Sequence, residues 1–162
     1  MQDEIIIRKI IADDDAKLAQ IIRSSLKEFG AAKPGTVYFD PTTDHLHKVF
    51  QTKQSAYFVA EINNEVVGGA GVFPTEALPD KTCELVKMYL SPEARGKGIG
   101  KLLLEKCMHE AKEMGCKKMY IETMPELTKA IPMYEKYGFK YIPGPLGNSG
   151  HGGCDLFMLK DL

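Results

Sequence analysis

Hydrophobic and polar residues alternate along this chain in two distinct ways, which predict separate strands and helices. Short runs rich in β-branched and aromatic residues predict strands at 5–11, 56–62, 65–73, 83–90, 118–123, 139–142 and 155–159. Apolar residues that recur at helical spacing predict helices at 13–29, 46–50, 98–114 and 126–137. Gly115 and Gly138 directly follow the last two helices, which is the position where a terminating glycine is common.

The order of these segments limits the topology. The strands at 56–62 and 65–73 are separated by Asn63 and Asn64, which is typical of a tight antiparallel hairpin. Strands and helices alternate in the second half of the chain, and this alternation implies parallel neighbours. We therefore predict an α/β (α+β) fold in which a mixed sheet has helices on both faces. The chain has no internal repeat and no linker-like segment, so a single domain over 1–162 is expected.

Composition narrows the class of protein. The chain has 162 residues, of which 44% are hydrophobic and 27% charged, and its net charge is -1, as in a soluble globular protein. This balance argues against a nucleic-acid partner held by bulk electrostatics. No apolar run approaches the roughly 18 residues of a spanning helix, so no membrane association is expected. The cysteines form no C-x-x-C pair and are interpreted as reduced thiols of a cytoplasmic protein.

A basic, glycine-rich turn at 95–101 lies between a strand-like run and a long amphipathic helix. A Walker A loop is excluded, because the residue five before Gly100 is Arg95 and Leu102 follows Lys101. A dinucleotide fingerprint is also excluded, because the glycines stand at positions 96, 98 and 100 rather than at G-x-G-x-x-G spacing. The pattern that fits is Gln/Arg-x-x-Gly-x-Gly/Ala, at residues 95–100.

Backbone chemistry makes this turn a candidate anion site. The first turn of a helix leaves its N–H groups unpaired and carries the positive end of the helix dipole. Glycine lacks a Cβ atom, so an anion can approach the main chain closely. One glycine would be enough for a tight strand-to-helix turn. Three glycines beside three cations, which are Arg95, Lys97 and Lys101, favour a bound ligand.

The sequence resembles the GCN5-related N-acetyltransferase (GNAT) family over nearly its whole length. The resemblance rests on the strand at 84–90, the turn at 95–100 and the later run at 130–139, which reads Ala-Ile-Pro-Met-Tyr-Glu-Lys-Tyr-Gly-Phe. It implies a mostly antiparallel mixed sheet, an N-acetyltransferase activity, acetyl-coenzyme A as the co-substrate and no metal ion. One departure is the segment 123–125, where many relatives carry an asparagine and this chain has Thr-Met-Pro.

The resemblance also implies which residues contact the coenzyme. The pantetheine arm would pair with the backbone of the strand before the turn, at Met88, Tyr89 and Leu90, where an N–H group would polarise the thioester carbonyl. The pyrophosphate would lie on the turn and the helix start. The residues implied there are Arg95, Gly96, Lys97, Gly98, Ile99, Gly100 and Lys101.

Two side chains are implied as catalytic groups. Glu84 occupies a position near the strand start where the family often has a glutamate, and it would accept the proton of the attacking amine. A glutamate that only faces solvent at a strand end is the alternative. Tyr134 falls where the family often has a tyrosine general acid, which would protonate the leaving thiolate. A buried tyrosine that only packs is the alternative.

The sequence does not identify a single acceptor for the acetyl group. We expect a primary amine of a small molecule, such as an amino acid, a polyamine or an antibiotic. The alternatives are a protein N-terminus or lysine side chain, which needs an open peptide groove, and a coenzyme A-binding sensor module without turnover. The loops at 30–41 and 144–153 are candidate acceptor loops, and His151 is either an auxiliary base or part of a loop tip. Homodimers are common in the resembling family, and nothing in this sequence tests for one.

Overall fold

Seven strands form one sheet in the computed structural model, which describes residues 2–162. The strands are β1 (Ile5–Lys9), β2 (Ala56–Ile62), β3 (Glu65–Phe73), β4 (Thr82–Leu90), β5 (Lys118–Thr123), β6 (Lys140–Ile142) and β7 (Leu156–Asp161). The helices are α1 (Asp15–Glu28), α2 (Leu46–Val49), α3 (Ile99–Glu113) and α4 (Ile131–Lys136). No helix among residues 2–162 is long and apolar enough to cross a membrane.

The strand order in the sheet is β1-β2-β3-β4-β5-β7-β6. Every neighbouring pair is antiparallel except β4 and β5, which are parallel and are connected through α3. The prediction of a mixed, mostly antiparallel sheet with helices on both faces is therefore confirmed. The hairpin is also confirmed: Asn63 and Asn64 both have positive φ angles, as the favoured two-residue turn requires.

Two hydrophobic layers cover the two faces of the sheet. The layer on one face packs α1 and α2 against β2, with Leu18, Ile22 and Leu46 fully buried. The layer on the other face packs α3 and the Tyr134 segment against the sheet, with Leu103 and Leu104 at its centre. Burial of these side chains is the main stabilisation of the fold, since each contributes roughly 1.5–3 kcal/mol.

Strands β4 and β5 pair over only part of their length. Thr82–Glu84 pair with Lys118–Tyr120, and no further pairing between these strands is present. The two strands then diverge toward their C-terminal ends, although β4 continues to Leu90. This divergence opens a cleft in the middle of the sheet, at its one parallel junction, where ligands of mixed sheets commonly bind.

A bulge in β4 lies at the edge of this cleft. Its pairing register with β3 shifts between Gly69 and Gly71, and Lys87 has a φ of 51°, in the left-handed region. The hydroxyl of Tyr57 donates a hydrogen bond of 2.8 Å to the carbonyl oxygen of Lys87. A Cβ atom at Gly69 would lie 2.5 Å, and one at Gly71 2.7 Å, from the Tyr57 ring. The strand glycines therefore make room for the tyrosine that holds the bulge.

The helix expected at 126–137 is shorter in the structure. The helix α4 begins only at Ile131, and residues 125–130 form turns. Pro132 explains the difference, since proline has no N–H group and is tolerated only in the first turn of a helix. The first predicted strand, 5–11, is also shorter and ends at Lys9.

Candidate active site

The cleft between β4 and β5 contains a cavity of about 520 Å³, bounded by α1, by the start of α3 and by α4. Most residues that the sequence identified for coenzyme binding or catalysis line this one cavity. They are Met88, Tyr89, Leu90, Arg95, Gly96, Gly98, Ile99, Gly100, Lys101 and Tyr134. Glu84 and Lys97 are not among its lining residues.

The glycine turn presents backbone N–H groups to this cavity. Gly96 and Gly98 have φ angles of 75° and 78°, which L-residues with side chains rarely adopt. Helix α3 begins at Ile99, and its first internal hydrogen bond runs from the Leu102 N–H to the Gly98 carbonyl at 3.1 Å. The N–H groups at positions 99–101 consequently have no acceptor within their own helix. This arrangement fits an anionic group such as a pyrophosphate.

The space around Gly100 indicates whether glycine is needed there for packing or for a ligand. A Cβ atom there would lie 3.5 Å from atoms of Met133 and Met88 and 3.6 Å from Leu90, which are ordinary contacts. Packing and backbone angle therefore do not require glycine at this position. Glycine in a helix costs up to about 1 kcal/mol relative to alanine. A ligand that approaches the backbone closely is the remaining physical reason, so the turn fits the coenzyme.

We expect Gly100→Ala to separate coenzyme binding from folding. The substitution should leave the free energy of unfolding unchanged or raise it by up to about 1 kcal/mol. It should weaken acetyl-coenzyme A binding by about 10-fold or more, because the new methyl group obstructs the helix start. Calorimetric titration and urea denaturation measure the two effects. Lys112→Ala, on the exposed face of the same helix, is the control, and equal binding by both variants would contradict a close approach at Gly100.

The three cations of the turn have different roles in the structure. Arg95 donates hydrogen bonds to Glu28 at 2.6 Å and to the Leu90 carbonyl at 3.0 Å, and it stacks over Phe29. It therefore ties the end of α1 to the end of β4 while still lining the cavity. Lys97 instead pairs with Asp3, outside the cavity. Lys101 lines the cavity and makes no ion pair with any residue in 2–162, and its binding role stays a prediction, as does that of Lys97.

Tyr134 is buried at the opposite side of the same cavity. Its side chain is 5% exposed and packs edge-on against Phe139, with ring centroids 5.9 Å apart. Burial raises the pKa of Tyr134 above its ordinary value of 10.0, so the phenol keeps its proton at neutral pH. No buried polar side-chain atom in residues 2–162 lacks a hydrogen-bond partner. The Tyr134 hydroxyl makes no hydrogen bond with these residues, so its oxygen is not fully buried. Since Tyr134 lines the cavity, the hydroxyl opens into it.

A second, smaller cavity of about 50 Å³ adjoins the first between β4 and β5. The two cavities share the lining residues Leu85, Lys87, Tyr89, Glu122, Thr123 and Leu127. Glu84 lines the smaller cavity and is only 3% exposed, so it is not a strand-end glutamate that faces solvent. Its carboxylate accepts a short hydrogen bond from the Thr75 hydroxyl.

The environment of Glu84 changes its acidity. Burial raises the pKa of Glu84 from 4.5 to about 7, the Glu122 charge acts in the same direction, and the Thr75 hydrogen bond and the Lys87 charge oppose it. A carboxyl group with a pKa near 7 exchanges its proton readily at neutral pH, as a general base must. Its placement beside the larger cavity is what a base that activates an amine would need.

Two loops cover the smaller cavity. The Gly153 N–H donates to the Gly35 carbonyl at 2.9 Å, and a Cβ atom on Gly153 would lie 2.7 Å from the Pro34 carbonyl oxygen. His151 lines the cavity and pairs through Nε2 with Asp40 at 2.9 Å. The segments 30–41 and 144–153, which the sequence marked as acceptor loops, therefore meet each other directly above this cavity.

Sequence reasoning missed three polar residues of the cavities. Glu122 on β5 accepts hydrogen bonds from Tyr120 and Ser149 and lines both cavities. Lys87 and Lys129 also line the larger cavity. The available signal was a charged residue inside an otherwise apolar strand, at Glu122 and at Lys87. Among residues 2–162, no group of three or more His, Cys, Asp or Glu residues is arranged to hold a metal ion.

Sequence comparison places this architecture among known proteins. The sequence model of the acetyltransferase (GNAT) family matches residues 18–139. The uncharacterized N-acetyltransferase YjgM of Escherichia coli (strain K12) is 40% identical over 158 residues, which are 97% of this chain and 95% of that protein. An IAA acetyltransferase of Azospirillum brasilense is 36% identical over 107 residues, covering 65% of this chain and 67% of its own length.

Solved structures show the same fold. An acetyltransferase of the GNAT family from Staphylococcus aureus Mu50 has a TM-score of 0.82 and 21% identity, covering 98% of this chain and 99% of that one. The putative acetyltransferase yncA of Salmonella typhimurium, solved with its cofactor acetyl-CoA, has a TM-score of 0.75 and 21% identity over 97% of this chain and 93% of that one.

Proposed function

The chain belongs to the acetyltransferase (GNAT) family and is an acetyl-coenzyme A-dependent acetyltransferase, and we propose that its acceptor is a primary amine of a small molecule. The observation that carries this proposal is the covered cavity beside Glu84. Contacts between residues 35 and 153, and between Asp40 and His151, hold two loops over it. A protein acceptor would need an open groove for its backbone, whereas a cavity of about 50 Å³ suits the reactive end of a compact amine.

We assign the removal of the amine proton to Glu84. A free alkylamine has a pKa of about 10 and is protonated at neutral pH, so it must lose a proton before it can attack. The Glu84 carboxylate, with a pKa of about 7 and its own hydrogen bond from Thr75, accepts this proton directly or through a water molecule. In the transfer, the amine nitrogen forms a bond to the acetyl carbon as the bond from that carbon to sulfur breaks.

We assign protonation of the departing sulfur to Tyr134. A thiol of this type has a pKa of about 8.5, and a phenol that opens into the coenzyme cavity can donate its proton to the thiolate. The second proton that the nitrogen loses after it has bonded to the acetyl carbon then restores the phenol. Acetyl-coenzyme A supplies the acetyl group as a thioester. The backbone N–H groups of Met88 or Tyr89 on β4 are the donors that would polarise its carbonyl, and the start of α3 would hold its pyrophosphate.

A thiol-release assay with a panel of amines and peptides tests the acceptor class. We expect coenzyme A release with at least one small primary amine at a kcat/KM at least about 10-fold above that for any peptide, because the two loops exclude an extended backbone. Mass spectrometry of the product confirms transfer to nitrogen. Faster release with peptides would favour a protein acetyltransferase. Tight acetyl-coenzyme A binding without release on any acceptor would favour a sensor module, and either result would overturn the proposal.

A further inference from the structure

Lys87 is a charged residue with no role in the acetyl transfer proposed for Glu84 and Tyr134. It belongs to the β4 bulge and lines both the coenzyme cavity and the smaller cavity. Its backbone has a φ of 51°, which a residue with a side chain adopts only when the surrounding structure requires it. The Tyr57 hydroxyl holds its carbonyl oxygen at 2.8 Å. The fold therefore fixes a lysine at the junction of the two cavities.

The acidic groups around this lysine have hydrogen-bond donors of their own. Glu84 accepts from Thr75, and Glu122 accepts from Tyr120 and Ser149. Asp40 accepts from Thr42 and pairs with His151. Burial by itself would raise the pKa of Asp40, but these contacts lower it to about 2. Each of these three carboxylates therefore has a hydrogen-bond partner within the protein.

The Lys87 ammonium, in contrast, has no hydrogen bond and no ion pair with any residue in 2–162. Every fully buried polar side-chain atom of that range has a hydrogen-bond partner, so the unpaired Lys87 ammonium must be accessible from a cavity that Lys87 lines. Burial lowers the pKa of Lys87, and the charges of Asp40 and Glu84 only partly oppose this effect. A cation turned into a cavity without a partner is stabilised by a ligand that brings a negative charge.

We propose that Lys87 binds a carboxylate of the acceptor, so that the small molecule is an amine that also carries a carboxylate. This inference rests on the proposed function and names the substrate class of the same site. The carboxylate would pair with the Lys87 ammonium while the amine faces Glu84, which lines the same cavity. Lys87 and Glu84 both line this small cavity, so the carboxylate and the amine of one small molecule, such as an amino acid, can reach the two residues together.

The experiment compares matched acceptors in the wild-type enzyme and in Lys87→Met. Each of a set of small amino acids is paired with its primary amide, in which the carboxylate is neutral, and with the corresponding aminoalkyl phosphate. The wild-type kcat/KM should favour the carboxylate over the amide by about 10- to 100-fold, as expected for a charge-assisted hydrogen bond. Lys87→Met should reduce this ratio to about 1. Comparing ratios between enzymes removes any effect of the different amine pKa values.

Three further measurements keep the result interpretable. Lys87→Arg should retain the preference for the carboxylate, and Lys117→Met, which changes an exposed lysine, should leave the ratio as in the wild type. Acetyl-coenzyme A binding should stay within about 2-fold in Lys87→Met, which shows that the variant is folded and that Lys87 does not serve the coenzyme.

Four results would overturn the proposal. They are an equal rate with acid and amide in the wild type, a preference that survives Lys87→Met, a Lys87-dependent preference for the phosphate, and a loss confined to coenzyme binding. Turnover of amides and other amines with no effect of Lys87 would leave the small-amine function intact. Absence of turnover on every small amine would instead refute that function itself.

Discussion

Replacing Glu84 by glutamine is expected to lower kcat for acetyl transfer by about 100-fold or more, the usual contribution of a general base. Glutamine keeps the shape of the side chain and can still accept the Thr75 hydrogen bond, but it cannot take a proton from the amine. Wild-type kcat/KM should rise with pH through about 7, as Glu84 loses its proton. The variant should lack this rise, and rapid-quench or continuous thiol-release assays across pH measure both effects.

Glu84 should also make the stability of the protein depend on pH. Its pKa is raised from 4.5 in the unfolded chain to about 7 in the fold, so the folded state binds the additional proton between these values. The contribution of Glu84 to the free energy of unfolding should therefore be fully present below pH 4.5. It should fall as pH rises from there and be lost once pH has risen through about 7. The full loss is on the order of 3 kcal/mol. Glu84→Gln should escape this loss and be the more stable protein at pH 8.

Urea denaturation at several pH values separates this effect from the general pH dependence of the fold. Glu65→Gln, which changes an exposed glutamate in the β2–β3 hairpin, is the matched control for the charge change. A Glu84→Gln enzyme with wild-type turnover would remove Glu84 from the mechanism. Parallel stability curves for Glu84→Gln and the wild type would show that burial does not raise the pKa of this carboxyl group.

Tyr134→Phe should have the second large effect, a fall in kcat of about 100-fold, at the lower end of the range for general acids. Phenylalanine preserves the packing against Phe139 and removes only the hydroxyl that opens into the cavity. Acetyl-coenzyme A affinity should change by less than about 2-fold, because the hydroxyl acts on the departing sulfur rather than on the bound coenzyme. Steady-state kinetics and calorimetric titration measure the two quantities.

The neighbouring Tyr137 provides the control for Tyr134. It lies one residue past α4, and it is not among the residues that line the larger cavity. Tyr137→Phe should therefore retain wild-type kcat. Unchanged turnover in Tyr134→Phe would mean that this tyrosine only packs, which is the alternative that the sequence left open.

Local sequence patterns were sufficient for most of the strands and helices and for the glycine turn that begins α3. Asn63 and Asn64 form the turn of the β2–β3 hairpin themselves. The glycines at 96, 98 and 100 lie directly before or within the first turn of α3. These features depend on residues within one short segment, so periodicity and turn chemistry identify them. The helix prediction at 126–137 was wrong for an equally local reason, because Pro132 is tolerated only in the first turn of a helix.

The smaller cavity could not be predicted from local patterns. Its lining residues come from four regions that are far apart in the sequence: the loop at 36–37, β4, β5 with the turn after it, and the loop at 151–154. A strand sequence does not reveal that Glu84 is buried or that its pKa is near 7. These properties depend on which residues the other segments bring against it, and sequence separation carries little information about such contacts.

By itself, then, the sequence determined seven strands, a glycine turn that begins a helix, and a family whose members transfer acetyl groups from coenzyme A. Only the tertiary structure decided that β7 inserts between β5 and β6, that β4 and β5 diverge, and that Lys87 enters the cleft without a partner. The physical reason is the range of the interactions. Turns and helix starts are set by neighbouring residues, whereas burial, acidity and cavity shape are set by residues far apart in the chain.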